Sequence, residues 1–141
     1  MITAASQKHK NCLEAVLYQN NNQKPDMNTT STINELLNAL REQKETGMKG
    51  GIYHKTQIDL TYNSNHIEGS RLTHEQTRYI FETNTIGVEK EVLNVDDLIE
   101  TVNHFRCIDM IIDNAKAPLT EKFIKELHLV LKNGTSDSRK D

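Results

Sequence analysis

The 141-residue chain has only two cysteines, Cys12 and Cys107, far apart and without a C-x-x-C pair. That excludes a disulfide framework and a cysteine zinc site, and a reduced, cytoplasmic setting is the expectation. No apolar run approaches the ~18 residues of a membrane-spanning helix, so no membrane partner is expected. The first 30 residues lack a continuous apolar stretch, which speaks against a secretory signal. Basic excess is missing as well. Net charge is -3, whereas nucleic-acid binders carry a positive stripe, so no nucleic-acid partner is expected. The small basic clusters, Lys8-His9-Lys10 and Arg139-Lys140, lie near the ends and read as solvated charge. There is no internal repeat, and the 14 asparagines are scattered.

What remains is a lean core. Leu, Ile, Val and Phe make up 34 of 141 residues, above the ~20% floor below which charged chains stay disordered. The length suits one domain of ordinary size. Residues 1–30 read as a polar, weakly ordered arm, with Leu13, Val16 and Leu17 as its short apolar face. Residues 31–141 read as a helical region. Thr32 and Glu35 have capping-box spacing ahead of Ile33, Leu36, Leu37 and Leu40, and Gly47, Gly50 and Gly51 stop that helix. A second helix is expected over about 54–69, with Ile58, Leu60, Tyr62 and Ile67 on its apolar face and Gly69 at its C-terminus. Thr73 and Gln76 form another capping box, for a helix to about Thr83, and 84–93 reads as a loop. Asn94 caps the longest helix, whose face is Leu98, Val102, Phe105, Ile108 and Ile112. After Pro118, Thr120 caps a last helix with Phe123, Leu127, Val130 and Leu131 buried, and Leu119 stapled to Ile124. Five helices and no convincing strand predict an all-α fold.

The chemistry-bearing stretch runs from Thr61 to Ser70. Ser64 and Glu68 are four apart and share a helix face. Gly69 follows at once, so the Glu68 carboxylate sits in the last turn, where the helix dipole opposes an anion by ~0.3–1 kcal/mol. A carboxylate at that end points to a cationic partner elsewhere. Other candidates read as structural. His104 follows Glu100 by four, but the Glu-x-x-His repeat of bundle metal sites is absent; no metal ligand is expected. Cys107 beside Ile108 reads as a buried thiol, and His128 as a packed or half-exposed histidine.

The run Ser64-Asn65-His66-Ile67-Glu68-Gly69 resembles the inhibitory S/T-x-x-x-E-G/N motif of Fic proteins, which transfer AMP from ATP to protein hydroxyls. Its flanks are similar to that family too: Gly50-Gly51-Ile52-Tyr53-His54-Lys55 before it, Gly69-Ser70-Arg71-Leu72-Thr73 after it, then Asn103-His104-Phe105-Arg106 and the stretch from Gly134 to Asp141. The resemblance covers roughly residues 33–141. It implies a helical domain like the N-terminal half of the Fic fold, with ATP and Mg2+ as cofactors and a protein as substrate. It also implies that Glu68 pairs with an arginine that would otherwise hold the ATP γ-phosphate, with Ser64 fixing the helix and Gly69 turning the chain away. The catalytic signature H-x-F-x-D/E-G-N-G-R-x-x-R is absent from this chain, so no catalytic residue is assigned. The implied partner is the remainder of a Fic catalytic core in cis, and homo-oligomers fit as well. The alternative is a free-standing, antitoxin-like helical module acting in trans on a Fic partner.

Overall fold

In the computed structural model, residues 27–87 and 90–140 are described, and they form five helices with no strand among them. These are α1 (Met27–Thr46), α2 (Ile52–Ile67), α3 (His74–Thr83), α4 (Val95–Asp113) and α5 (Glu121–Lys132). The chain falls into two units, one ending at Leu36 and one running from Leu37.

In the first unit α1 starts at Met27, ahead of the expected cap at Thr32 and inside the stretch read as a polar arm. The Thr32 hydroxyl donates to the Asn28 carbonyl at 3.1 Å, so the Thr32–Glu35 capping box does not form. A mid-helix threonine bonds back one turn in this way once the helix already exists. Ile33 and Leu36 are exposed. Residues 1–26, with Cys12 and the Leu13, Val16, Leu17 face, lie outside the described residues.

In the second unit α4 packs against α2, α3 and α5. Its first turn carries Asp96 and Asp97, favourable at a helix N-terminus, and Asn94 Oδ1 accepts from the Asp96 amide at 2.9 Å. At the other end the Arg41 guanidinium donates to the carbonyls of Ile112 and Asp113, and Lys44 reaches the Asp113 carboxylate at 2.7 Å. Cations and donors there satisfy carbonyls left without helical partners.

Two apolar clusters flank α4. Leu37, Tyr53, Ile108 and Ile112 form one; Leu72, Ile80 and Phe105 form the other. Phe81 packs against both, with its ring centroid 5.0 Å from Phe105 and 6.2 Å from Tyr53. Between α2 and α4 the buried contact is largely polar. Gln57 Nε2 donates to the Phe105 carbonyl at 3.2 Å and to Asp109 Oδ1 at 2.9 Å. Thr61 Oγ1 and His104 Nδ1 share a hydrogen bond of 3.2 Å, and Asn65 Nδ2 donates to Thr101 Oγ1 at 3.1 Å. Partners descend along α4 as they ascend along α2, so the two helices run antiparallel. Gln57, Thr61 and Asn65, each four residues after the last, therefore form a buried polar seam.

Several expectations need correction here. α2 begins at Ile52, two residues before His54, and Gly51 offers no side-chain cap. The side chain of Gln43 substitutes, its Oε1 accepting from the Tyr53 amide at 3.1 Å. A Cβ at Gly51 would meet that Gln43 amide, so a side chain there would require this stand-in cap to shift. Ile67 is 72% exposed and Leu60 is exposed too, because the inward face of α2 is Tyr53, Gln57, Ile58, Thr61 and Asn65. On α5, Phe123, Leu127, Val130 and Leu131 are only half-buried, and none of its residues is buried. Leu119, the expected staple, is half-exposed.

The caps read at Thr73, Asn94 and Thr120 match. Thr73 and Gln76 form both bonds of the capping box, at 3.1 and 2.9 Å. Thr120 Oγ1 accepts from the Phe123 amide at 3.1 Å. Past α5 the chain turns back onto α4: Asn103 Nδ2 donates to the carbonyls of Leu131 and Asn133, and the Ser136 amide and hydroxyl both bond the Asp96 carboxylate. Cys107 is buried, its thiol donates to the Leu127 carbonyl, and burial pushes its pKa up to about 11.

Candidate functional site

Ser64, Glu68 and Gly69 come together at the C-terminus of α2. The helix ends at Ile67, Glu68 is its C-cap, and Gly69 follows with φ +95°. The Gly69 amide donates to the His66 carbonyl at 3.1 Å and the Ser70 amide to the Asn65 carbonyl at 2.9 Å. These are the paired 5→2 and 6→1 bonds of a Schellman turn, which needs a residue with positive φ at the Gly69 position. A side chain there would strain the backbone; glycine is the residue that lets the chain leave the helix directly after Glu68.

Glu68 is half-buried, and its amide donates to the Ser64 carbonyl at 3.3 Å, so the two residues occupy successive turns. Ser64 is half-buried as well, and its hydroxyl makes no hydrogen bond among the described residues. The helical spacing read from the sequence thus places both side chains on one edge of the last turns. Alongside, the His66 ring stacks on Tyr62 at 5.5 Å, and Ile67 projects outward.

The exit from the turn is fixed within four residues. The Arg71 amide donates to Asp97 Oδ2 at 3.2 Å, and the Leu72 amide donates to Ser70 Oγ at 3.3 Å. Leu72 is buried against Ile80 and Phe105, and Thr73 then opens α3. Glu68 therefore sits between a capped helix end and a buried leucine.

Two histidine–carboxylate contacts join α2 to α3, both nearer the N-terminal end of α2 than its Glu68 end. His54 Nε2 lies 3.0 Å from Glu82 Oε1, and His74 Nε2 lies 2.7 Å from Asp59 Oδ1. Each helix contributes one histidine and one carboxylate.

The remaining titratable candidates are occupied structurally. Glu100 pairs with Lys132 at 2.7 Å while His104 faces Thr61, so the i,i+4 spacing of that histidine and glutamate does not make a ligand pair. His128 is exposed. Among the described residues no group of three His, Cys, Asp or Glu side chains is placed to hold a metal ion. Two shallow depressions, one bordered by Arg41, Lys44 and Asp113 and one along Ile52, Lys55 and Asp59, include neither Ser64 nor Glu68. Among the described residues, then, no metal-ligand group is formed and neither depression reaches Glu68, so these residues do not fit ATP and Mg2+ by themselves.

Sequence reading missed the polar seam beneath this site. The signal was present: Tyr53, Gln57, Thr61 and Asn65 recur every four residues, a stripe of hydrogen-bonding side chains along one helix face. No protein-family model matches the chain, and no curated protein matches it.

Proposed function

We propose that this chain is the regulatory part of a Fic-type AMP transferase, with α2 presenting Glu68 to an arginine of a nucleotide site formed by other residues. The observation that carries the reading is the placement of Glu68 as the C-cap of α2, on the turn after Ser64 and directly before a positive-φ glycine. Its carboxylate lies where the helix dipole disfavours an anion, which a cation brought to that end would relieve. Arginine pairs bidentately with a carboxylate or with a phosphate, so Glu68 and an ATP γ-phosphate would compete for the same guanidinium.

The magnitudes are adequate. Holding a two-state regulator 99:1 in its blocked form takes ~2.7 kcal/mol, half of a full inversion. A charge-assisted hydrogen bond contributes ~1.5–3 kcal/mol. One bidentate pair at Glu68 supplies that bias. Ser64 supports it from the preceding turn, where its carbonyl accepts from the Glu68 amide, and Gly69 by turning the chain aside.

ATP and Mg2+ would be held by the partner core, since the described residues do not fit them. The half-covered face of α5, with Leu129 69% exposed, supports a body that packs against this chain. That body is a catalytic core in cis or a Fic partner in trans, the second case making this chain an antitoxin-like module. The test is AMP transfer from labelled ATP by a core carrying the signature, with this chain fused or added separately, as wild type and as Glu68→Gly. Repression by wild type that Glu68→Gly relieves supports the reading; equal rates refute it. Repression only when fused, or also when added separately, distinguishes cis from trans action.

A further inference from the structure

Asn65 lies three residues before Glu68, and it is buried at 6% exposure. Its side-chain amide donates to Thr101 Oγ1 at 3.1 Å, and the fully buried Thr101 hydroxyl donates in turn to the Asp97 carbonyl at 2.7 Å. The Asp97 carboxylate accepts from the Arg71 amide at 3.2 Å. The Asn65 carbonyl meanwhile accepts from the Ser70 amide at 2.9 Å. These bonds close a ring: Asn65 to Thr101, to Asp97, to Arg71, and back along the chain through Ser70, Gly69 and Glu68. Glu68 lies on the chain segment, between Asn65 and Ser70, that the ring closes.

We propose that Asn65 is the positioning residue for Glu68, fixing the last turn of α2 in place against α4. Helix ends open locally at low free-energy cost unless something ties them down. An apolar side chain would tolerate small slides along α4; an amide aimed at one buried hydroxyl does not, which is how a single buried polar residue specifies register. The functional meaning of this anchor rests on the reading of Glu68 given above. The anchor itself is a property of this chain and is testable without a partner.

The experiment is amide hydrogen exchange on the intact chain and on Asn65→Ala, Thr101→Val and Thr101→Ser. Asn65→Ala and Thr101→Val should each speed exchange at Glu68, Gly69 and Ser70 by about tenfold, the scale of one lost buried hydrogen bond. Core amides such as those of Ile58 and Ile108 should stay within about twofold. Thr101→Ser keeps the hydroxyl and should restore wild-type exchange at all three positions. Uniform acceleration across the chain would make Asn65 an ordinary core residue and overturn the proposal, as would unchanged exchange at Glu68–Ser70. In the transfer assay with a Fic core, Asn65→Ala should relieve part of the repression and Thr101→Ser none. Relief by Glu68→Gly without any by Asn65→Ala would overturn the positioning role alone. No relief by Glu68→Gly would instead overturn the inhibitory reading, while the exchange result still decides what Asn65 does.

Discussion

Tyr53 Oη donates to Asp109 Oδ1 at 2.7 Å, closing the polar seam at the end opposite Asn65. The same carboxylate oxygen accepts from Gln57 Nε2, so one acceptor on α4 holds two residues of α2. Tyr53→Phe keeps the ring against Phe81 and removes the bond to the Asp109 carboxylate together with the one its hydroxyl accepts from Gln57 Nε2. The expected loss is about 1.5–3 kcal/mol of stability, read as a lower denaturation midpoint with unchanged m-value.

Burial, reinforced by the Asp109 hydrogen bond, pushes the Tyr53 phenol up to about 12. The sign follows from the protonated form being favoured in the fold. Up to the ordinary tyrosine value near 10 both states keep the proton; between about 10 and 12 only the unfolded chain loses it. The contribution is thus complete below the unfolded value and is lost as pH rises through the folded one. Ultraviolet titration should show one of the four tyrosines ionising late, together with alkaline unfolding. Tyr53→Phe should remove that late step.

Gly69 and Gly87 separate backbone need from mere sequence position. Gly69 has φ +95°, whereas Gly87 has no positive φ and open space around its Cα. Gly69→Ala should cost at least about 1–2 kcal/mol, the scale of forcing an L side chain into left-handed backbone. Gly87→Ala should lie within about 0.5 kcal/mol of wild type. Thermal melts of the two variants decide it.

The same comparison shows which signals the sequence carried openly. Thr73–Gln76, Asn94, Thr120 and Gly69 act within their own turns, and local spacing is enough to read them. The start of α1 was hidden because Asn28, Thr29 and Thr30 are poor helix formers that resemble loop. The N-terminus of α2 was hidden because its cap, Gln43, comes from another helix. The seam was hidden because Gln57, Thr61 and Asn65 are satisfied by residues 36 to 52 positions away. Ile67 misled for the complementary reason: it is apolar, at helical spacing, and faces outward.

Asp96 tests the turn after α5. The Ser136 hydroxyl and then its amide hold the Asp96 carboxyl below the usual aspartate range. A lowered folded value stabilises the fold above the unfolded value, near 3.9, and that contribution is lost as pH falls through the folded one. Asp96→Asn should therefore melt earlier than wild type at neutral pH, and the gap should shrink in acid. Melting curves across that range, with Ser136→Ala as a second variant, measure it.

Ile108 and Leu129 bracket the value of burial. Ile108 is 5% exposed in the core and Leu129 is 69% exposed on α5. Ile108→Ala should cost about 2–5 kcal/mol, and Leu129→Ala under about 0.5 kcal/mol. Denaturant titration of both variants would show whether the outer face of α5 contributes to the fold of this chain.

The most direct measurement is the rate of AMP transfer by a Fic core under control of this chain, for wild type, Glu68→Gly and Ser64→Ala at equal ATP. Glu68→Gly should raise transfer by about one to two orders of magnitude, the factor that a ~2.7 kcal/mol bias implies. Ser64→Ala should act in the same direction and less strongly, and the chain without a core should transfer no label. Equal rates for wild type and Glu68→Gly would contradict the inhibitory role and leave Glu68 as the carboxylate that ends α2.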